Sequence, residues 1–232
     1  MSSTTGAPPT TPAEYWDKYR PHKGEGPQVR PAAERFDWTG VPGAPGPDVT
    51  LFGEPLPAAA LDLGPAEGEN AAVLARAGVR VTAVDFSAVQ VARARGFWAD
   101  LPNLEFVHAE ALAWLDEQTG AGRRWELVYS TWGAVWFTDP EELLPRVARA
   151  LAPGGFFAFS HREPAVGHHG ARRMSGAWLA GRESELTVLR WQHTAQEWSD
   201  LLKRHGFRDV DARVLPAAEA GALGTLLVTA RA

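Results

Sequence analysis

From Ala59 onward the chain alternates short apolar runs with amphipathic stretches, each pair separated by Gly, Pro or a capping residue. Ala59-Ala60-Leu61-Asp62-Leu63 is a short apolar run entering Gly64, and Val79–Val84 is rich in β-branched residues, so both predict buried strands. Leu104–His108, Glu126–Ser130 and Phe156–Ser160 repeat the pattern as strands three to five. Between them lie helical stretches. Asn70–Ala77 is Ala-rich and stops at Gly78, and Ser87-x-x-Gln90 is a capping box opening a helix to about Trp98. Ala111–Gln118 gives the next helix. Asp139-Pro140-Glu141 places an N-cap acid before Pro at the first helical position, predicting a helix to about Leu151. Thr194-x-x-Glu197 caps a last helix with Trp198, Leu201 and Leu202 on one face, before two closing strands, Phe207–Leu215 and Thr225–Ala230.

Five strands alternating with helices predict a parallel sheet covered on both faces, and the closing pair reads as antiparallel. The fold class is therefore α/β: a Rossmann-like, doubly wound, seven-stranded, mostly parallel sheet with the last strand antiparallel. Residues 1–48 are expected to form a partly disordered N-terminal arm or lid, because the first dozen residues are Ser/Thr/Pro/Gly/Ala and the rest is rich in Pro and Gly. Within the arm a short helix is predicted near Tyr15, Trp16 and Tyr19, with Phe36 and Trp38 as anchors. Residues 49–232 form the main domain, in which 161–192 is too long for a simple connection and predicts a functional insertion or cap.

Composition then limits the function. The 232 residues are 45% hydrophobic and 22% charged with a formal net charge of −5, as in a water-soluble protein with a full core. Cysteine is absent, which excludes a disulfide framework and a cysteine nucleophile and suits a reducing cytoplasm. No run reaches the ~18 apolar residues of a membrane span, and the N-terminus lacks the basic and apolar regions of a secretory signal. The mild acidity argues against a nucleic-acid partner. Ten Trp residues against three Tyr is unusual, because indoles serve both as core filler and as ligand platforms.

A doubly wound sheet binds its ligand beyond the carboxyl ends of the strands, which places the chemistry in the turns after Gly64, Val84, Val107, Ser130 and Ser160. The first turn, Leu61–Asn70, is Gly-rich, so backbone can approach a ligand closely. Asp85 ends the second strand 21 residues after Gly64, where a carboxylate can accept both ribose hydroxyls. Glu110 follows the third strand and can accept an exocyclic adenine N–H. Together the three turns specify a nucleoside-containing ligand. A dinucleotide fingerprint needs Gly at the first, third and sixth positions, but Gly64, Ala66 and Glu69 stand there. A carboxylate at the sixth would repel a pyrophosphate. Gly64, Ala66 and Gly68 follow a first, third, fifth pattern instead, and Asp62, Glu67 and Glu69 suit a ligand without phosphate, above all a cationic one.

At these positions the chain resembles the class I S-adenosylmethionine-dependent methyltransferase family. Leu61–Gly68 looks like the family's first motif, Val81–Ser87 its second, Phe106–Leu112 its third and Leu127–Phe137 the segment around strand four. Leu151-Ala152-Pro153-Gly154-Gly155 looks like its L-x-P-G-G turn. Ala66 departs from the family's usual Gly. The resemblance implies S-adenosyl-L-methionine as cofactor, with S-adenosyl-L-homocysteine as product. It implies that Asp62, Gly64, Ala66 and Gly68 line the methionine portion, that Asp85 holds the ribose, that Phe86 packs near the adenine, and that Glu110 with the Ala111 backbone reads the adenine edge. Ser130 and Thr131 would face the sulfonium. Gln90 is assigned either to the cofactor or to its capping box. Tyr15, Trp16 and Tyr19 either close over the cofactor or pack outside the sheet.

The resemblance implies direct methyl transfer to N, O or C of a small molecule, expected to be aromatic or heterocyclic because Trp132, Trp136 and Trp178 fall where an acceptor would bind. Trp132 is a candidate stacking platform or a core residue. His161, ending strand five, is the best-placed candidate base, or else a hydrogen-bonded core histidine. His168 and His169 are adjacent and diverge, so no metal site is assigned. Two rival readings are an NAD(P)-linked oxidoreductase of the same fold and a non-catalytic cofactor-binding protein. The oligomeric state has no sequence signal.

Overall fold

The computed structural model describes residues 11–18, 29–41, 43–175 and 185–232. Its centre is a seven-stranded sheet in the order β3-β2-β1-β4-β5-β9-β8. The strands are β1 (Ala59–Leu63), β2 (Arg80–Asp85), β3 (Leu104–His108), β4 (Trp125–Thr131), β5 (Leu151–Arg162), β8 (Arg208–Leu215) and β9 (Thr225–Arg231). The first five run parallel, and β9 lies between β5 and β8, antiparallel to both. Strand order reverses at β1, so the carboxyl ends of β1 and β4 flank the switch point where such sheets hold ligands.

Alternation within each strand sends side chains to two cores. Leu61, Leu63, Val128, Phe157 and Phe159 face one side. There they meet α4 (Ala111–Gly120), α6 (Pro140–Ala150) and α7 (Ala195–Arg204) through residues such as Leu115, Leu144 and Trp198. Ala60, Tyr129, Ala158 and Leu227 face the other side, against α2 (Glu69–Arg76) and α3 (Ala88–Phe97). Trp114 and Trp125 are buried against each other as structural indoles.

Two expectations change. The arm is not peripheral: Ala33, Phe36 and Trp38, with Phe52 of the short helix Val49–Phe52, are core residues of the second face. Phe36 packs on Tyr129 and Trp38 is 0% exposed, so position 48 is no structural boundary. The β4, β5 and β9 part of that face receives aromatic side chains from the arm where the other face receives helices. The second change concerns Pro153-Gly154-Gly155. This expected turn is absorbed into β5, where Leu151 pairs with Trp125, Phe156 pairs with Leu127, and the register shifts between them.

The insertion after β5 holds an antiparallel pair, β6 (Gly170–Ser175) and β7 (Glu185–Gln192). It stands against α5 (Ala134–Phe137) and the N-terminal helix α1 (Pro12–Asp17). Tyr19 and Trp178 lie outside the described residues. No helix among the described residues is long and apolar enough to cross a membrane.

Candidate active site

The turn after β1 is held by a backbone path that excludes most side chains. Gly64 (φ +79°) donates its N–H to Val84 O at 2.9 Å, and Gly68 (φ +83°) donates to Pro65 O at 2.9 Å. Ala66 also has positive φ, +50°, and its N–H donates to Asp85 Oδ2 at 3.1 Å. A Cβ on Gly64 would lie 2.4 Å from the Ala134 nitrogen, so the β1 and β4 turns meet only because both are bare there. A Cβ on Gly68 would strike the Phe106 ring. The turn is anchored below by Trp98, whose Nε1–H donates to Glu67 O at 2.7 Å.

Two carboxyls converge on this turn. Asp85 accepts from Ala66 N and, at 2.9 Å, from Ser87 N; one lone pair on each oxygen remains for a ligand. Burial raises its pKa to about 6, despite those hydrogen bonds. Asp62 is 1% exposed and sits in register with Tyr129, and its Oδ1 has no partner among the described residues. Burial, above all, pushes its pKa to about 8, with the nearby Asp85 and Glu69 charges adding to the rise and the neighbouring Tyr129 hydroxyl working against it. Two desolvated carboxyls beside a glycine turn, one with an orphaned oxygen, fit a ligand that brings an ammonium and a diol. They do not fit a phosphate.

Phe86 is half-buried after β2. At the next carboxyl end, Glu110 is exposed and spends Oε2 on the N-cap of α4, accepting from Ala113 N at 2.9 Å. Ala111 begins that helix.

The Ser87–Gln90 box forms only by half. Ser87 Oγ accepts from Gln90 N at 3.2 Å, but Ser87 N–H donates to Asp85 Oδ1 and not to the Gln90 side chain, whose amide donates to Trp16 O at 2.9 Å. Ser87 Oγ donates to Asp17 at 2.5 Å. Gln90 and Ser87 thus hold α1 at the start of α3, beside Asp85, so Tyr15 and Trp16 lie at the carboxyl edge and not outside the sheet. Tyr15 is buried with Val188 of β7, and Trp16 packs on Phe137 at 4.6 Å.

Beyond β4 and β5 the predicted acceptor residues are engaged with one another. Ser130 Oγ donates to Leu63 O at 2.7 Å and accepts from Val135 N, so its hydroxyl ties β1 to β4 and is not aimed at a sulfonium. Thr131 Oγ1 accepts from Asn70. Trp132, at φ +53°, donates Nε1–H to Trp38 O at 2.8 Å and meets Trp136 edge-on. His161 is 0% exposed and stacked on Trp136. Its Nδ1–H donates to Arg162 O at 2.8 Å, and its Nε2 accepts from Trp198 Nε1–H at 2.9 Å. Burial lowers its pKa to about 4. Both ring nitrogens are committed, so the expected base has no lone pair to offer.

Several contacts at this edge have no sequence signal. The Trp38 carbonyl also accepts from Ser160 Oγ at 2.7 Å, and the Asn70 side chain brackets Asp37 by bonding its N–H and its carbonyl, both at 2.8 Å. Asp17 and Trp38 lie tens of residues from Ser87 and Trp132, and Arg190 of β7 from the Trp136 ring it lies over, and no local spacing links them.

The fold and the carboxyl-lined glycine turn are those of a methyltransferase domain, and a family model of that description matches residues 42–212. The chain belongs to the class I S-adenosylmethionine-dependent methyltransferase family. It is 39% identical over 108 residues to a trans-aconitate 2-methyltransferase of Paracidovorax citrulli, covering 45% of this chain and 39% of that protein. A protein of the same name from Deinococcus radiodurans is 31% identical over 179 residues, covering 72% of this chain and 65% of its own length. The matches thus span less than two thirds of these relatives. Among solved structures, a Burkholderia thailandensis 1,6-didemethyltoxoflavin-N1-methyltransferase, with its acceptor and S-adenosylhomocysteine bound, aligns with TM-score 0.56 at 26% identity, covering 75% of this chain and 71% of that one. An S-adenosylmethionine-dependent methyltransferase from Mesorhizobium loti shares the fold at TM-score 0.55 and 23% identity, over 75% and 90% of the two chains.

Proposed function

We propose that the chain transfers a methyl group from S-adenosylmethionine to a small-molecule acceptor held between α5, the end of β5 and the β6–β7 hairpin. The observation that carries this reading is the pair of buried carboxyls at one glycine turn, with Asp62 lacking a partner for Oδ1. Asp62 would receive the ammonium of the methionine portion and Asp85 the ribose hydroxyls, while Glu110 and the Ala111 backbone face the adenine edge and Phe86 packs beside it. Gly64, Ala66 and Gly68 let the backbone come close. Tyr15, carried by α1, would exclude water from above; Gln90 acts by holding that helix.

When bound, the cofactor would supply an electrophilic methyl on a sulfonium, to whose carbon an acceptor lone pair would bond as the C–S electron pair leaves on sulfur. The protein's part is orientation and desolvation, effects that reach ~10⁵ M of effective concentration. Because His161 is locked, the acceptor must arrive with an available lone pair. A stacking role for Trp136 loses support, since His161 and Arg190 already lie on that indole, whereas the in-plane bond of Trp132 Nε1–H to Trp38 O fixes that ring without covering its faces. The relatives' names give two acceptor chemistries, a carboxylic acid and a heterocycle, and the reading covers both. A cytoplasmic site of action, without a nucleic-acid partner, belongs to the same proposal, supported by the absence of cysteine and the net charge of −5.

The test is calorimetric titration with S-adenosylhomocysteine and, separately, NAD(P), followed by a mass-spectrometric screen for methylated acceptors. Binding of S-adenosylhomocysteine with a +14 mass gain on an acceptor is expected. Binding of the dinucleotide alone would refute the assignment.

A further inference from the structure

The inner face of β7 reads Val188, Arg190, Gln192, because side chains alternate along a strand. Val188 meets Tyr15 of α1, and two residues on, the Arg190 guanidinium lies over the Trp136 ring of α5 at 5.3 Å from its centroid. Arg190 therefore stands between the helix that covers the cofactor turns and the helix that follows β4. No carboxylate answers it among the described residues. Glu163 is engaged by Gly224 N, and Glu197 by His169 and the Thr194 cap. Arg190 faces further positive charge instead: Arg172 is its direct cross-strand partner on β6, and burial, then Arg162 at the end of β5, disfavours its charged form, with only the Tyr15 side chain favouring it. Like charges directly opposite on a sheet destabilise it.

Hydrogen-bonding capacity is left over at the same place. Among the described residues, Arg190 Nε and Trp136 Nε1 are buried donors without a partner, and Gln192, 4% exposed, has an orphaned Oε1. Buried polar groups are nearly always satisfied, so a cluster of orphans around an unpaired guanidinium marks a place for a complementary group. A planar anion that accepts two N–H bonds matches the guanidinium fork, and a protonated or hydroxylated neighbour on the same molecule would satisfy Gln192.

Resting on the methyltransferase reading above, we propose that the acceptor is a small carboxylic acid whose carboxylate is anchored by Arg190, with Trp136 Nε1–H and the Arg162 and Arg172 charges assisting. The anchor fixes the acceptor from the hairpin side, opposite the cofactor turns. Arg190 is thereby a specificity-determining residue.

The experiment uses the full chain loaded with S-adenosylhomocysteine. Affinities for citrate, succinate and benzoate are measured by calorimetry on the wild type, Arg190→Lys and Arg190→Gln, with S-adenosylhomocysteine affinity and thermal unfolding measured on each. At least one acid is expected to bind the wild type, to lose about 10-fold or more in Arg190→Gln, and to recover in part in Arg190→Lys, while cofactor affinity and folding stay near wild type. In the acceptor screen, free acids are expected to be methylated in preference to their esters and amides. Binding of none of the three acids, equal affinity in Arg190→Gln, or turnover confined to uncharged acceptors would overturn the proposal while leaving the cofactor assignment intact. Failure of the wild type to bind S-adenosylhomocysteine would remove both.

Discussion

The proposed cofactor half and the proposed acceptor half of the carboxyl edge are built by different means. The first consists of the turns after β1, β2 and β3, where each residue's place follows from the strand just before it. Asp85 meets Ala66 because β1 and β2 are parallel neighbours in register, Leu63 beside Val84. The acceptor half gathers Trp38 of the arm, Trp132 and Trp136 after β4, His161 at the end of β5 and Arg190 of the hairpin, segments far apart in the chain. The cofactor half keeps polar groups desolvated and ready for a ligand; much of the acceptor half spends its polar groups on itself. Binding chemistry can thus be written in short motifs, whereas the acceptor surface depends on long-range packing.

The junction between the halves is the sharpest place to break the comparison. Gly64→Ala would set a methyl group against Ala134 N in a left-handed backbone conformation, costing about 3 kcal/mol from strain and overpacking together. Denaturant unfolding should show that loss, and a variant as stable as wild type would mean that the two turns part easily. Next in size, Asp85→Ala should weaken S-adenosylhomocysteine binding by about 2 kcal/mol, because it removes a charged acceptor and frees the Ala66 N–H. An unchanged dissociation constant would show that the carboxylate serves only the turn.

Trp198→Phe should cost about 1–2 kcal/mol by orphaning His161 Nε2 in the core. It should leave cofactor affinity unchanged. His161 itself gives a pH signature: its folded pKa, about 4, lies below its ordinary value, so the unfolded chain binds the proton first as pH falls. Its contribution to stability is complete above the ordinary histidine pKa and declines toward pH 4. His161→Gln should flatten that part of the stability profile, and a turnover profile shifted by the same variant would restore His161 as a base.

Asp62 carries the opposite sign. Its folded pKa, about 8, lies above the ordinary carboxylate value, so its contribution declines as pH rises from about 4 to about 8. Relative to wild type, Asp62→Asn should gain stability across that window, as measured by unfolding at several pH values. Smallest of all, Trp132→Phe removes one N–H bond to Trp38 O and should lower stability by about 1 kcal/mol with cofactor affinity intact. A fall in both would mean that the arm's seat on β4 and β5 also shapes the cofactor turns.

Much of the edge was legible because its signals are local. The Gly64-x-Ala66-x-Gly68 spacing, the acid closing β2 and the Thr194–Glu197 cap depend only on neighbours in sequence, and the cap forms in full in the structure. Ser87–Gln90 has the same spacing yet forms by half, because the Ser87 N–H is taken by Asp85 Oδ1 and the Gln90 amide is turned to Trp16 O. The Pro/Gly-rich arm reads as a wrap, but Phe36 and Trp38 fill a face left without a helix. Composition cannot reveal a vacancy elsewhere in the fold.

Sequence alone determined the alternation of strands and helices, the doubly wound sheet and the acidic glycine turn, since hydrophobic period and turn chemistry are properties of short windows. Only the tertiary structure decided what the polar groups at the edge are free to do. His161 reads as a base until Trp198 occupies its lone pair, and Arg190 carries no sequence signal until the fold lays it over Trp136 with no acid paired to it among the described residues. Whether a side chain is spent or available is fixed by desolvation and by partners distant in the chain.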